Sequence, residues 1–168
     1  MKNGKVKKIA FLGLMATLAL VLSYAESLLP PIYPAIPGIK MGLPNIVIIC
    51  TLYKFGIKEA ISVSFIRLIC VVLLFGNGMT LIYSISGAIL SLALMWIFKK
   101  LDLFSMVGVS IIGGVSHNIG QILAAILILE TTKIGYYMIV LAVTGTISGA
   151  LVGLAGNIFT KRLNKIKL

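Results

Sequence analysis

The sequence predicts an all-α fold: a polytopic transmembrane helical bundle of about six helices, with both termini cytoplasmic. Three observations carry this. Of the 168 residues, 60% are hydrophobic and only 11% are charged, whereas a soluble domain carries about 25% charged residues. The mean hydropathy is +1.12, and apolar runs of near membrane-crossing length recur from one end to the other. The basic residues fall almost entirely between those runs, on alternate connections, which is the pattern membrane orientation imposes. No stretch is left over for a soluble module, so residues 1–168 read as a single integral membrane domain.

Taken in order, the runs cover residues 9–29, 43–53, 60–75, 81–98, 106–129 and 136–159. The second is short for a bilayer. It must tilt, extend through its flanks, or be shielded by protein. Lys2, Lys5, Lys7 and Lys8 precede the first run, Lys54 and Lys58 follow the second, and Lys99 and Lys100 follow the fourth. Lys161, Arg162, Lys165 and Lys167 close the chain. Only Lys40 and Lys133 belong to the opposite side, and an even number of spans keeps this split intact. Ser23-Tyr24-Ala25 before Glu26 resembles a signal-peptidase site, but the apolar run continues to Leu29, so the segment is expected to remain as a span.

The net charge of +11 is therefore orientation charge. No aromatic-interleaved basic face accompanies it, which argues against nucleic acid as a partner. Cys50 and Cys70 lie inside apolar runs, form no CxxC pair, and read as packing residues.

Connecting residues 30–40, PPIYPAIPGIK, contain Pro30, Pro31, Pro34 and Pro37. Proline fixes φ and lacks a donor, so this external loop is extended and stiff. It acts either as a lid or as a bridge between two helices. In the last run Gly145, Gly149 and Gly153 form a GxxxGxxxG stripe along which a second helix approaches closely. That helix belongs either to this bundle or to a docking partner.

Polar residues inside apolar runs need a reason. Arg67 lies near the middle of the third run, cannot shed its charge, and so needs a carboxylate, backbone carbonyls or an anionic ligand. The acids are Glu26, Glu59, Asp102 and Glu130. Glu59 is eight residues away, about 12 Å along a helix, too far to pair. Glu26 could reach Arg67 only across helices, which leaves an internal ion pair or a ligand-lined cavity.

The segment GGVSHNIGQ places His117, Asn118 and Gln121 within five residues in the fifth run. His117 and Gln121 are four apart and share a helix face. Donors and acceptors together suit a cavity wall better than helix glue, and His117 could also relay protons. Asn45 follows Pro44 and Gly42, where free backbone groups add binding capacity. Ser84, Ser86 and Ser91 are expected to bond their own helix. One histidine without nearby thiolates supplies neither a metal site nor a haem site, so no cofactor is expected.

The pieces LSYAESLLP, PGIKMGLPNIVI, KEAISVSFIRL, SISGAILSLALMWIFKK and VSHNIGQIL resemble the bacterial membrane family called heptaprenyl diphosphate synthase component I, or Gx transporter family. The resemblance runs from Ala10 to Gly153. It puts Glu26, Gly38, Lys40, Gly42, Asn45, Arg67, His117, Asn118 and Gln121 at motif positions. Prenyl diphosphate chemistry needs acidic clusters that hold Mg²⁺. The chain has one aspartate, Asp102, and no paired acids, so it is not expected to be an enzyme itself.

The architecture is also similar to the substrate-binding S components of energy-coupling-factor transporters. That similarity implies a ligand pocket under the first loop, location in the bacterial cell membrane and an energising partner. Those components often dock through an AxxxA pattern, where this chain has Gly13-xxx-Thr17 and Ala19-xxx-Ser23. A further similarity, to membrane components of flavin-dependent extracellular electron transfer and demethylmenaquinone synthesis, implies an isoprenoid or quinone link. Three functions follow: transport or binding of a small polar or anionic molecule, with Glu26, Lys40, Asn45, Arg67, His117, Asn118 and Gln121 as ligand-binding residues; a non-catalytic accessory role in isoprenoid or quinone metabolism; or a structural partner docking through Gly145, Gly149 and Gly153.

Overall fold

A computed structural model describes residues 2–28, 42–76 and 78–165. Among them are six α-helices and no strand: α1 (Lys2–Leu28), α2 (Asn45–Lys54), α3 (Ile57–Phe75), α4 (Gly78–Leu101), α5 (Met106–Leu129) and α6 (Met138–Leu163). A 3₁₀ turn, Thr132–Tyr137, leads into α6. Each helix falls on one expected apolar run. Segments of α1, α4, α5 and α6 are long and apolar enough to cross a membrane. The α3 helix has 19 residues but carries Lys58, Glu59 and Arg67. The loop over residues 30–40, with Lys40, lies outside the described residues.

The shortness of α2 is resolved by burial. Its 10 residues rise only about 15 Å, half a bilayer core. Val47, Ile48, Ile49, Cys50, Thr51 and Leu52 are all buried, so protein rather than lipid surrounds the middle of this helix. Met15, Ala19, Val63, Val109 and Val152 from four other helices complete the core around it. Cys50 belongs to this packing, its thiol donating to the Gly156 carbonyl at 3.3 Å. Gly56 joins α2 to α3 at φ +113°, a conformation a side chain would strain.

Glycines set the distances among α4, α5 and α6. A Cβ on Gly149 would lie 2.7 Å from Ile111 Cα, and one on Gly153 would lie 2.7 Å from Val107 Cα. Gly145 meets the Gly114 backbone in the same way. The GxxxGxxxG stripe is therefore occupied by α5 of this chain, and the partner-docking alternative loses the face it needs. On the other side of α5, Gly120 faces the Ser86 carbonyl at 2.7 Å and Gly87 faces His117 Cε1 at 2.8 Å, again measured from an added Cβ.

The basic helix ends gather at one end of the bundle. Lys8 pairs with Glu59 at 2.5 Å. Lys99 donates to the Leu52 carbonyl at 2.6 Å, and Lys54 donates to the Leu163 carbonyl. Both lysines thereby satisfy carbonyls that helix C-termini leave open. Lys99 also lies 4.9 Å from the centre of the Tyr53 ring.

Candidate functional site

At the other end, Glu26 and Gly42 meet. Gly42 holds φ +75°, and its N–H donates to a Glu26 carboxylate oxygen at 2.5 Å. Glu26 is buried in the last turns of α1. Burying a carboxylate is costly unless donors and opposite charge accompany it. Gly42 supplies a donor, and Arg67 on α3 supplies charge.

From this end a cavity of about 390 Å³ runs toward the middle of the bundle, with walls from all six helices. Ser23 and Glu26 come from α1, Asn45 and Ile49 from α2, Arg67, Leu68 and Val71 from α3, and Met79, Tyr83, Ser84, Ser91 and Met95 from α4. The α5 wall contains Ser110, Gly113, Gly114, His117, Asn118 and Gln121, and α6 adds Ser148, Gly149 and Val152. Six of the seven residues expected to bind a ligand thus line one chamber. The seventh, Lys40, is outside the described residues.

Arg67 is the least satisfied group in the wall. Its Nη1 is 3.5 Å from Ser23 Oγ, the long limit of a hydrogen bond. Its Nε is buried with no hydrogen-bond partner among the described residues. The electrostatic influence of Glu26 offsets part of its charge. The two alternatives drawn from sequence therefore coexist: Arg67 feels an internal carboxylate and also lines a cavity.

The α5 polar group divides its work. Asn118 Nδ2 donates to the Leu141 carbonyl on α6 at 2.7 Å, so this side chain ties two helices as well as facing the cavity. Gln121 makes no hydrogen bond among the described residues and offers a free amide to the chamber. His117 is held against α4 because Gly87 leaves room for its ring.

The serine expectation holds for Ser86 and not for Ser91. Ser86 bonds its own helix at the Ile82 carbonyl, 2.9 Å away. Ser91 instead donates across to the Gly113 carbonyl on α5 at 2.8 Å, and both Ser84 and Ser91 line the cavity. Sequence reasoning passed over these two and Tyr83. A signal was present: Ser84, Gly87 and Ser91 follow helical spacing, a small and polar face on an otherwise bulky apolar helix.

No three histidine, cysteine or acidic residues come together to hold a metal ion among the described residues. The fold and chamber define a multi-pass helical membrane protein with an internal cavity lined in part by polar side chains. The chain belongs to the heptaprenyl diphosphate synthase component I family, which matches residues 15–159. No curated protein and no solved structure matches the chain.

Proposed function

We propose that this protein is a substrate-binding or transport component of the bacterial cell membrane that takes a small polar or anionic molecule into the six-helix cavity. The observation that carries the reading is the state of Arg67: a cation at the wall of a cavity of about 390 Å³, with Nε buried and unpartnered among the described residues. A ligand carboxylate or phosphate would accept from that guanidinium edge, the bidentate geometry arginine favours. Asn45, His117, Asn118 and Gln121 would read its polar groups. The volume falls within the range usual for small-molecule sites.

The excess of Lys and Arg at one end supports a cytoplasmic position for that end, so the Glu26–Gly42 end faces outward and the ligand enters from outside. The sequence has no phosphate-binding P-loop motif, so movement against a gradient would depend on an energising membrane partner. The scarcity of acidic residues, four in all with a single aspartate, supports a non-catalytic role.

The family's description, heptaprenyl diphosphate synthase component I, supports a second reading, an accessory component of isoprenoid metabolism; a quinone or extracellular electron-transfer link rests on the resemblance drawn from sequence. One experiment separates the two. Small molecules and lipids co-purifying with the wild type and with an Arg67→Ala, His117→Ala double variant are identified by mass spectrometry. A water-soluble compound lost from the variant supports the transport reading. Loss of a prenyl phosphate or quinone supports the accessory reading. Identical contents in both samples sink the binding site.

A further inference from the structure

A second concave surface lies on the outside of the bundle, where α2 sits between α1 and α6. Because α2 rises only about 15 Å, it cannot fill the slot between two longer helices along their full length. A cleft of about 470 Å³ remains. Leu18 and Leu22 of α1, Ile46 of α2, and Ile158 and Phe159 of α6 form its walls, and all are apolar. The one charged wall residue is Arg162, in the last turn of α6 at the basic end of the bundle.

Geometry and charge together select the occupant. From Ala155 to Arg162 the α6 wall climbs about 10 Å, inside the roughly 15 Å depth of one hydrocarbon leaflet. The cleft thus spans one leaflet, apolar toward the bilayer centre and cationic at its surface. Arg162 is exposed and has no salt bridge among the described residues. Of the acids at this end, Glu59 is committed to Lys8, and neither it nor Asp102 forms a salt bridge with Arg162 among the described residues. Lys161 beside it adds a second exposed cation. A second protein helix would leave that charge without a counterpart unless it brought an acid, whereas an anionic lipid supplies tail and headgroup in the required order.

We propose that this cleft is a binding site for an anionic phospholipid of the leaflet at the basic end, one acyl chain lying along Leu18, Leu22 and Phe159, with the phosphate held by Arg162. The site is separate from the polar cavity and does not depend on what that cavity carries.

The test uses full-length, delipidated protein titrated with an equimolar mixture of dioleoyl phosphatidylglycerol and dioleoyl phosphatidylcholine, with retained lipids counted by native mass spectrometry. The wild type should retain phosphatidylglycerol preferentially. Arg162→Gln should reduce that preference about fivefold, the effect of one basic side chain near an anionic surface, and Arg162→Lys should keep most of it. Ala155→Phe fills the cleft and should reduce the retained lipid by one molecule while the unfolding temperature holds. An unchanged preference in Arg162→Gln overturns the proposal, as does an unchanged lipid count in Ala155→Phe. A wild type that is dimeric while Ala155→Phe is monomeric also overturns it, because the cleft would then be an interface between copies. If Arg162→Gln fails to fold, comparison of wild type, Arg162→Lys and Ala155→Phe decides the matter.

Discussion

Glu26 and Arg67 sit on different helices, 41 positions apart in the chain, and their opposite charges act on each other at the wall of one cavity. Glu26 is also tied to the backbone of Gly42. The carboxylate therefore joins the start of α2 to the only cation seen in the chamber wall among the described residues.

Replacing Glu26 should separate these two roles. Glu26→Gln keeps an acceptor for the Gly42 N–H but removes the charge. Glu26→Ala removes both and leaves the half-buried Gly42 N–H unpaired, a loss toward the lower end of about 1–3 kcal/mol. Thermal unfolding in detergent should rank wild type above Gln and Gln above Ala. Equal unfolding temperatures for the two variants would show that the Gly42 contact contributes nothing.

The double replacement Glu26→Gln, Arg67→Met should abolish ligand binding while preserving most of the folded protein. Arg67→Met alone leaves the buried Glu26 carboxylate without its cation, a cost of about 3–5 kcal/mol, whereas neutralising both charges of a buried pair is often nearly neutral, and an apolar side chain cannot hold an anion. Folded yield by size-exclusion chromatography, set against co-purified ligand, checks this. A parallel loss of fold and ligand would mean that Arg67 is structural.

The glycine seams make a position-by-position test. Gly149→Ala puts a methyl 2.7 Å from the Ile111 backbone, which forces α5 and α6 apart at a cost of about 1–3 kcal/mol. Gly13→Ala meets nothing within 4 Å and should leave stability unreduced. Gly87→Ala presses on the His117 ring, so it should weaken ligand binding as well as stability. Binding unaffected by Gly87→Ala in a folded protein would remove His117 from the site.

Orientation is checked with reporter fusions or impermeant labelling at Lys40 and Lys100. The charge distribution places Lys40 outside and Lys100 inside. The reverse labelling pattern would place the cavity on the cytoplasmic side and overturn the outward entry route.

Much of this architecture is legible in the sequence because membrane helices are bounded by charge, proline and glycine. The expected fifth run, 106–129, coincides with α5, and Ser105 caps it through its side chain to Gly108 N–H. Helix neighbours are harder to read. In a lipid-embedded helix the outer face is as apolar as the core face, so periodicity of hydrophobic residues loses its directional meaning. Only glycines and polar residues mark the inward side. For that reason Arg67, His117 and Gln121 could be assigned to a cavity from sequence, while the Ser91–Gly113 bond and the Tyr83 wall could not. The proximity of Glu26 and Arg67 likewise required a choice of helix neighbours that no local pattern supplies.

The division of labour along α5 bears on how such a bundle adapts. Gly114 and Gly120 hold its neighbours through backbone proximity, while His117 and Gln121 face the chamber from the same few turns. A residue that packs by having no side chain cannot be exchanged, whereas Gln121, which borders the cavity without a hydrogen bond among the described residues, can. On the proposed binding role, changing such wall residues would retune which molecule is accepted without moving a helix, so the frame stays fixed while the chamber varies.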